Sequence, residues 1–392
     1  MRIAMLGQKG IPAKYGGIER HVEELSKELV KSGQVVLVYA RAWYTPRLRP
    51  AGFAGQAREY QGIQIIHTPG IHTKNLDAVT HTFTATLHAI WRNVDIYHYH
   101  GVGPALLSWL PRLLRPRAKV IVTFHCIDRY HQKWGAFARA MLHLGEWAAC
   151  KFAHQTITVS KTLYHYCVNE YFCNTVYIPN GVETITDADA NELNQFNLTP
   201  DQYIATVTRL VRHKGVHYLI RAYQAAKLIR PELFSGIKLV VVGDSVFTDN
   251  YVRSLYKLAG NDHDIIFTGW QQQSALDALY SHALLYVHPS ENEGLSLSVL
   301  RAMSAGKPIL VSDIAENREL ISDHRFWFEN TDVASLTNKL IELMANPKLR
   351  AEAGGYNRCQ SLKYNWPDIA RQTAALYASD CATNLAVTPH QA

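Results

Sequence analysis

Short apolar, β-branched segments alternate with longer segments of helical periodicity along the chain, and the alternation starts again halfway. Apolar strands separated by helices are typical of a parallel sheet covered on both faces. The repeated pattern predicts two doubly wound α/β domains in tandem, which suits 392 residues. The predicted strands are Arg2–Leu6, Gln34–Tyr39, Ile63–His67, Ile96–Tyr99, Val120–Phe124, Thr156–Val159, Thr175–Ile178, Tyr203–Thr208, Lys238–Gly243, Ile265–Thr268, Leu284–Val287, Pro308–Val311 and Phe326–Phe328.

The boundary between the domains is predicted near Asn180–Leu198, where a turn signal precedes a run rich in Asp, Asn and Thr. The pair Trp366-Pro367 is a helix start signal, so one more helix is expected beyond the second domain. The assigned segments are 1–183 for the first domain, 184–364 for the second, 365–380 for the final helix and 381–392 for a frayed tail.

Charge is spread unevenly over the two halves. Residues 1–184 hold 21 Lys and Arg against 11 Asp and Glu, whereas residues 185–392 hold 19 against 22. A positive first half indicates an anionic partner, which could be nucleic acid, an acidic membrane surface or a phosphorylated small molecule. No recognised nucleic-acid motif is present in the sequence.

Cysteine spacing and the length of apolar runs argue against several protein classes. The six cysteines form no C-x-x-C pair, which argues against a zinc ribbon. The sequence contains no stretch of about 18 uncharged apolar residues, which is the length that a helix needs to span a bilayer. The apolar run at the start of the chain is too short for a signal peptide, so we expect a cytoplasmic protein.

A loop that contains several glycines, Gly7–Gly17, joins the first strand to the first helix. Ligands bind at the carboxyl ends of strands in such sheets, and glycines let the backbone approach a phosphate at a helix N-terminus. Gly16-Gly17 is therefore a candidate anion site, and the alternative is that the glycines only shape a tight turn. The loop lacks the dinucleotide fingerprint G-x-G-x-x-G, which disfavours a nicotinamide-dependent dehydrogenase.

Two cations, Arg209 and Lys214, flank a short loop after the first strand of the second domain. They suit a diphosphate, because a guanidinium can grip two phosphate oxygens at once. A solvated charged loop is the alternative. Further along, Glu293 and Gly294 stand in a polar elbow between a strand that ends at His288 and a helix. That carboxylate could hold a sugar hydroxyl beside the helix N–H groups, or it could be no more than a helix cap.

In combination these motifs resemble the family 4 glycosyltransferases. Four features match in order and spacing: the Gly-Gly loop at 16–17, R-L-x-x-x-K-G at 209–215, the elbow at 293–294 and A-M-x-A-G-x-P at 302–308. The turn at 178–182 and the last helix at 366–377 also resemble those of the family. The resemblance implies the GT-B architecture: two doubly wound Rossmann-like domains facing across a cleft, with a C-terminal helix crossing back to the first domain. Gly7–Gly17 also resembles the loop of a subgroup of bacterial polysaccharide transferases that includes rhamnosyltransferases.

The resemblance implies a role for each matched residue. Arg209 and Lys214 would bind the donor diphosphate and stabilise the leaving phosphate, so that no metal or other cofactor is required. Glu293 would hold hydroxyls of the donor sugar. His125 would lie near the transferred sugar, although a strand-end histidine bonded to backbone is the alternative. The other residues expected at the donor are Gly16, Gly17, Gly294, Leu295, Ser296, Leu297 and Arg301. The residues expected on the acceptor side are His100, Tyr15 and Lys133.

One position departs from the family pattern. The second elbow carboxylate of the family, eight residues after the first, binds nucleotide ribose, and here that position is Arg301. Leu295 and Ser296 also replace the Phe-Gly that is common in the family. The departure predicts a variant nucleotide subsite. It leaves open a catalytically silent nucleotide-sugar-binding or scaffold protein, and a sugar-nucleotide epimerase or phosphorylase on the same architecture is a further alternative.

Two other patterns resemble metal-binding sequences. His98 and His100 lie two residues apart on a strand and would face the same way, but no third ligand is evident in the sequence, so no metal is predicted. The acidic pairs Asp187-x-Asp189 and Asp262-x-Asp264 lie in polar linkers and are attributed to loops.

Basic residues mixed with Trp and Leu suit an anionic membrane surface, and a solvated helix end is the alternative. The segment Ala105–Lys119 has this composition and includes a predicted helix over Ala105–Leu114. The other residues assigned to such a surface are Arg41, Trp43, Tyr44, Arg47, Arg49, Lys133, Trp134 and Arg139.

Taken together, the sequence and its resemblance predict a metal-independent, retaining glycosyltransferase, peripheral on the inner face of the plasma membrane. It would move a sugar from a nucleotide diphosphate-sugar donor to a saccharide acceptor, which we expect to be lipid-linked, in cell-surface polysaccharide synthesis. The first domain would bind the acceptor and the second the donor.

Overall fold

The computed structural model describes residues 1–45, 58–73, 76–130, 135–185, 188–245 and 248–379. The chain divides into two compact units. The first unit consists of two chain segments, Met1–Gly181 and the segment that begins at Trp366. The second unit is Val182–Asn365. The second unit therefore begins two residues before the predicted boundary at 184.

One sheet of eight strands forms the centre of the first unit. Its strands are β1 (Arg2–Leu6), β2 (Val35–Ala40), β3 (Arg58–Tyr60), β4 (Ile63–His67), β5 (Ile96–His100), β6 (Lys119–Phe124), β7 (Gln155–Thr158) and β8 (Val176–Tyr177). Their order across the sheet is β3-β4-β2-β1-β5-β6-β7-β8. Only the β3–β4 pair is antiparallel among the described strand pairs of this sheet. The residues of β5 and β6 are buried throughout, which fits their high content of β-branched and aromatic residues, and the polar side chains among them, such as His98 and Thr123, are paired inside the unit.

Helices connect the strands of the first unit. They are α1 (Gly17–Lys31), α2 (Asp77–Trp91), α3 (Val102–Ala105), α4 (Trp109–Leu114), α5 (Ala136–Phe152) and α6 (Lys161–Tyr171). The single helix predicted over Ala105–Leu114 is wrong, because the structure divides it into α3 and α4. Pro111 has no N–H to donate to the carbonyl of Leu107, so a continuous helix would lose a bond there. The helix begins again at Trp109 instead, which puts Pro111 in its first turn.

The second unit is built on a parallel sheet of six strands. They are β9 (Tyr203–Val207), β10 (Lys238–Val242), β11 (Ile265–Gly269), β12 (Leu285–His288), β13 (Ile309–Ser312) and β14 (Trp327–Phe328), in the order β11-β10-β9-β12-β13-β14. The helices are α7 (Val216–Ile229), α8 (Pro231–Phe234), α9 (Asp249–Ala259), α10 (Gln273–Ser281), α11 (Leu297–Ser304), α12 (Ala315–Leu320), α13 (Val333–Ala345) and α14 (Pro347–Ser361). The predicted α/β class with two doubly wound sheets is confirmed.

Strand order reverses at the same place in both sheets. β1 lies between β2 and β5, and β9 lies between β10 and β12. In open α/β sheets this switch point leaves a crevice at the carboxyl ends of the strands, where ligands bind. The candidate residues end or follow these strands: Gly7–Gly17 after β1, His100 at the end of β5, Arg209 after β9 and Glu293 in the elbow after β12.

The last described helix, α15 (Trp366–Ala378), belongs to the first unit and packs against α1. The hydroxyl of Tyr377 lies 2.6 Å from Nδ1 of His98 on β5. The ammonium of Lys119 donates to the carbonyls of Leu376 and Ser379 at 2.8 and 2.5 Å. A cation at that position satisfies carbonyls that the end of a helix leaves without intrahelical donors.

Candidate active site

The elbow after β12 holds Glu293 through two contacts on one oxygen. Oε1 of Glu293 accepts from Nζ of Lys214 at 2.5 Å and lies 2.7 Å from Nε2 of His288. The side chains of Glu293, Lys214 and His288 are 9%, 11% and 2% exposed. Since both contacts fall on Oε1, they fix the direction of the carboxylate and leave its second oxygen to other hydrogen-bond donors.

The Glu293 carboxyl is held in its ionised form. Burial alone would raise its pKa, but the Lys214 ammonium and the hydrogen bond from His288 outweigh burial and hold the pKa well below its usual range. His288 was not among the predicted site residues, because its position at a strand end gives no sign of its partner. A histidine five residues before a candidate carboxylate is the signal that could have found it.

The loop after β9 approaches the elbow closely. It ends in a short 3-10 helix, Arg212–Lys214, followed by Gly215 at φ +68°. A Cβ atom on Gly215 would lie 1.8 Å from the carbonyl oxygen of Pro289, so only glycine fits. This close approach brings Lys214 to Glu293. Arg209, earlier in the same loop, is half-buried and makes no ion pair within the described part of the chain.

The residues after Glu293 use their side chains for the fold. Leu295 is buried, and Ser296 caps α11 by accepting from the N–H of Val299 at 3.3 Å. The predicted donor-binding stretch from Gly294 to Leu297 can therefore offer a ligand mainly its backbone, at the N-terminus of an eight-residue helix.

Arg301 lies on α11 and faces α10. Its Nη2 donates to Oδ1 of Asp277 at 2.5 Å, and its guanidinium carbon lies 5.8 Å from the centre of the Tyr280 ring. The residue that stands in place of the family's second carboxylate is thus engaged by neighbours within the second unit.

In the first unit the glycine loop enters α1 without a side-chain cap. Gly16 has φ +106°, and a Cβ atom there would overlap the carboxylate of Glu19. Oε1 of Glu19 accepts from the backbone N–H of Lys9 at 3.1 Å, which ties the loop to the first turn of the helix. The glycines therefore shape a tight turn, and the same turn leaves the amide end of α1, which begins at Gly17, without a capping side chain.

Tyr15 is fixed beside this loop by Tyr44. The Tyr44 hydroxyl accepts from the N–H of Tyr15 at 3.0 Å and donates to its carbonyl at 2.7 Å. The ammonium of Lys9 lies 4.8 Å from the centre of the Tyr15 ring. Burial, followed by the charge of Glu19, raises the pKa of Tyr15. Lys133, which was predicted on the acceptor side together with Tyr15 and His100, lies outside the described residues.

Histidines cluster where β5 and β6 end. His125 follows β6, and its Nε2 lies 3.2 Å from Nδ1 of His100. His21 of α1 joins them, with its ring centre 4.8 Å from that of His125. One nitrogen each of His21, His100 and His125 lies within 4.8 Å of the others. Sequence reasoning missed His21, because it is about 80 and 100 residues from its two neighbours along the chain.

Burial keeps these histidines neutral. It lowers the pKa of His21 to about 4, and it is the main reason why the pKa values of His100 and His125 lie well below the ordinary value. His98 lies beside His100, as their spacing predicts, with ring centres 4.1 Å apart. Its nitrogens face the hydroxyls of Tyr377 and Thr123 at 2.6 and 2.7 Å.

The predicted membrane-facing residues separate into two groups. Arg41 and Tyr44 are buried, and Arg41 pairs with Asp77 at 2.7 Å, so the expectation that both lie on an exposed surface is wrong. Arg47, Arg49 and Trp134 lie outside the described residues.

By contrast, α4 presents apolar side chains to solvent. Leu113 and Leu114 are 69% and 49% exposed, and Trp91 at the end of α2 is 84% exposed. Arg115 joins the two helix ends by donating to the carbonyl of Ile90. Within the described part of the chain, every helix is too short or too polar to cross a bilayer.

Two family descriptions match the chain in succession. "Glycosyltransferase Family 4" matches residues 15–185, and "Glycosyl transferases group 1" matches residues 189–360. Together they span both units and the candidate residues of each. The chain belongs to the family 4 glycosyltransferases.

Known proteins similar to this glycosyltransferase agree with that assignment. An uncharacterised glycosyltransferase of Methanocaldococcus jannaschii is 24% identical, over 96% of this chain and 98% of its own. O-antigen chain mannosyltransferase B of Escherichia coli is 23% identical, over 73% of this chain and 75% of its own. Among solved structures, Anabaena Alr3699/HepE in complex with UDP and glucose has a TM-score of 0.76 at 19% identity, covering 97% of this chain and all of its own. This last likeness supports the GT-B fold.

Proposed function

We propose that this glycosyltransferase moves a sugar from a nucleoside diphosphate donor to a saccharide acceptor, with retention of configuration and without a metal ion at the diphosphate. The observation that carries the proposal is the buried carboxylate of Glu293, which Lys214 and His288 hold ionised and oriented at the carboxyl end of β12. A carboxylate held in this way accepts hydrogen bonds from sugar hydroxyls and exchanges no proton near neutral pH.

The second unit offers two cations for the donor diphosphate. The Lys214 ammonium has three donors and gives one to Glu293, and Arg209 makes no ion pair with the described residues. Fixed positive charges stabilise the negative charge that develops on a departing phosphate, which is the work a divalent cation would otherwise do. The UDP complex of the similar Anabaena protein is consistent with such a donor.

Retention is expected by a front-face route. The Glu293 carboxylate has a pKa well below the usual range and two donors on Oε1, so it is a weak base and a poor nucleophile. Attack by the acceptor hydroxyl from the side of the leaving phosphate needs no covalent intermediate on the enzyme. Stereochemistry follows directly from the anomeric NMR signals of the product.

The first unit is assigned to the acceptor. The side chains of Tyr15, after β1, and His100, at the end of β5, lie at the carboxyl ends of these strands, where a doubly wound sheet binds ligands. The relation to an O-antigen chain mannosyltransferase supports a saccharide acceptor of a surface polysaccharide.

The exposed surface of α2 and α4 supports a lipid-linked acceptor. Trp91, Leu113 and Leu114 are exposed beside the exposed cations Arg92 and Arg117. Aromatic and aliphatic side chains bury into the headgroup boundary, and cations are attracted to anionic lipids. We assign this surface, Trp91–Arg92 with Leu113–Arg117, to an anionic bilayer. It accounts for part of the positive balance of the first half.

A donor screen tests the proposal. The full chain is incubated with UDP-, GDP- and dTDP-sugars and a bacterial lipid extract, with and without excess chelator, and the released nucleoside diphosphate is measured. We expect release only in the presence of acceptor, and donor binding that chelator leaves unchanged. Glu293→Gln and Arg209→Ala should each lower kcat by about 100-fold or more, the scale of losing one electrostatic contact to the transition state. The exposed neighbour Arg212 provides the matched control, Arg212→Ala, which should stay close to wild type.

Three outcomes would contradict the proposal. Release of no diphosphate from any donor, despite measurable donor binding, would favour a silent binding protein. Conversion of the sugar nucleotide without acceptor would favour an epimerase. Full activity of Glu293→Gln would remove Glu293 from the donor site.

A further inference from the structure

Three imidazoles of the first unit converge in a buried cluster made of His21, His100 and His125. They are 3%, 1% and 8% exposed. They come from three elements, since His21 lies on α1, His100 ends β5 and His125 follows β6. One nitrogen of each lies within 4.8 Å of the other two. The sequence pair His98-x-His100 showed no third metal ligand. The fold places two other histidines, His21 and His125, next to His100.

The outer contacts of the cluster set which nitrogens face inward. Nδ1 of His21 lies 2.9 Å from Oδ1 of Asn180, which can only accept, so the proton is on Nδ1 and the lone pair is on Nε2. Nε2 of His100 lies 3.4 Å from the thioether sulfur of Met5, a weak acceptor, which leaves the lone pair on Nδ1. That Nδ1 is the atom 3.2 Å from Nε2 of His125.

We propose that His21, His100 and His125 form a binding site for a divalent transition-metal ion of the zinc class. Neutral imidazole is the commonest protein ligand for such ions, and a set of three histidines with one open position is a known zinc arrangement. Ions that prefer oxygen ligands, such as Mg²⁺ and Ca²⁺, do not suit this donor set.

Distances and outer contacts agree with that donor set. Two nitrogens on one tetrahedral ion, each about 2.0–2.1 Å from it, are about 3.4 Å apart. The His100–His125 separation of 3.2 Å is already near this value, and since all three nitrogens lie within 4.8 Å of one another, the longest separation has to shorten by at most about 1.4 Å. The contact of His21 with Asn180 is of the kind that orients metal-ligating histidines.

The proposed ion has a different task from the counter-ions of the donor. The cations assigned to the diphosphate, Arg209 and Lys214, belong to the second unit, whereas the histidine cluster belongs to the first. Coordination through Nε2 of His125 leaves Nδ1 of the same ring for a substrate hydroxyl. The metal site does not rest on the proposed function, because metal binding is measured directly and without turnover.

The test uses the full chain without an affinity tag, stripped with chelator and titrated with Zn²⁺ or Co²⁺ alone. We expect one equivalent bound per chain with submicromolar affinity, a ligand-field spectrum for Co²⁺, and a shell of nitrogen atoms about 2.0–2.1 Å from zinc by X-ray absorption. His100→Ala should abolish the stoichiometric site. The matched control is His165→Ala, which removes an exposed histidine of the same unit and should bind as wild type does.

A second variant guards against a misfolded His100→Ala chain. Asn180→Leu keeps all three ligands and removes the acceptor of His21, and it should weaken the affinity by about 10- to 100-fold. Folding of each variant is checked by circular dichroism. The proposal is overturned if the folded, stripped chain binds no stoichiometric ion, if His165→Ala loses as much binding as His100→Ala, or if the zinc shell contains sulfur.

Discussion

The Nε2 atom of His288 lies 2.7 Å from Oε1 of Glu293, so the last residue of a central strand orients the carboxylate of the elbow that follows it. The strand is part of the core and His288 is 2% exposed, which gives the carboxylate a rigid support. The Lys214 ammonium reaches the same oxygen from a different loop.

His288 should act as a positioning residue for Glu293. A hydrogen bond to a charged group is worth about 1.5–3 kcal/mol, and about 1.4 kcal/mol corresponds to a tenfold change in rate. We therefore expect His288→Leu to lower kcat by about 10- to 100-fold. His288→Gln, whose amide can still donate, should recover most of that loss. Steady-state kinetics with the active donor, together with melting temperatures, separate this role from a purely structural one. Equal kinetics for the two variants would refute it.

The stability contributed by Glu293 should depend on pH with a definite sign. The pKa of its carboxyl is lower in the folded protein than the ordinary 4.5, so its stabilising contribution is fully present above 4.5 and is lost as the pH falls through the folded value. Glu293→Gln leaves the buried Lys214 ammonium without its counter-charge. We expect the variant to be about 3 kcal/mol less stable than wild type at pH 7.

The prediction is checked by urea unfolding of wild type and of Glu293→Gln between pH 8 and pH 3.5, which gives the free energy of unfolding of each protein. The gap in the free energy of unfolding should stay constant down to about pH 4.5 and narrow below it. A gap that grows on acidification would contradict the assigned direction.

Gly215→Ala should damage the second unit by a clash, and a matched glycine isolates that effect. Its Cβ atom would lie 1.8 Å from the carbonyl oxygen of Pro289, whereas one on Gly236 would have nothing within 4 Å. The two glycines have similar φ angles of +68° and +74°, so the backbone strain of about 1–2 kcal/mol is common to both variants.

The expected loss in the free energy of unfolding is about 3 kcal/mol or more for Gly215→Ala and no more than the shared strain for Gly236→Ala. Because the clash moves Lys214 away from Glu293, kcat/KM should fall only in the first variant. Equal destabilisation of the two chains would show that the approach to Pro289 can relax at no cost.

The assigned bilayer surface should be sensitive to charge screening. Trp91→Ser with Leu113→Ser removes two exposed apolar side chains and should reduce co-sedimentation with anionic phosphatidylglycerol vesicles several-fold. Raising the salt from about 0.1 M to 1 M shortens the screening length from about 10 Å to 3 Å and should release the wild-type chain.

Leu228→Ser is the matched control for vesicle binding, since Leu228 is 85% exposed on α7 of the second unit. It should bind vesicles as wild type does. The assignment of this surface to a bilayer would be contradicted if vesicle binding did not change with salt, or if Leu228→Ser lost as much binding as the double variant.

Much of the fold was predictable because its strands are short segments rich in apolar, β-branched and aromatic residues. β1 and β4 were predicted residue for residue, and β5 within one residue of its end. Shorter elements were missed for physical reasons. β3 is a three-residue edge strand with two charged side chains, Arg58 and Glu59, and α6 carries polar and aromatic residues with little helical periodicity.

The candidate site was predictable only where a motif carries it. The positions of Glu293, Lys214 and His125 follow from local patterns, whereas their partners do not. His288 and His21 acquire significance through contacts with residues that are buried beside them in the folded chain, and sequence spacing holds no record of those contacts. The ion pair between Arg41 and Asp77, and the burial of Arg41, were missed for the same reason.

The return of α15 to the first unit has a consequence for synthesis on the ribosome. Every residue of the second unit leaves the ribosome before Trp366 does, so that unit can complete its fold while the earlier-made first unit still lacks a helix. Until Tyr377 arrives, His98 has no hydroxyl from α15 and Lys119 has no helix end to bind. The half of the protein that is translated first is therefore the half that is finished last.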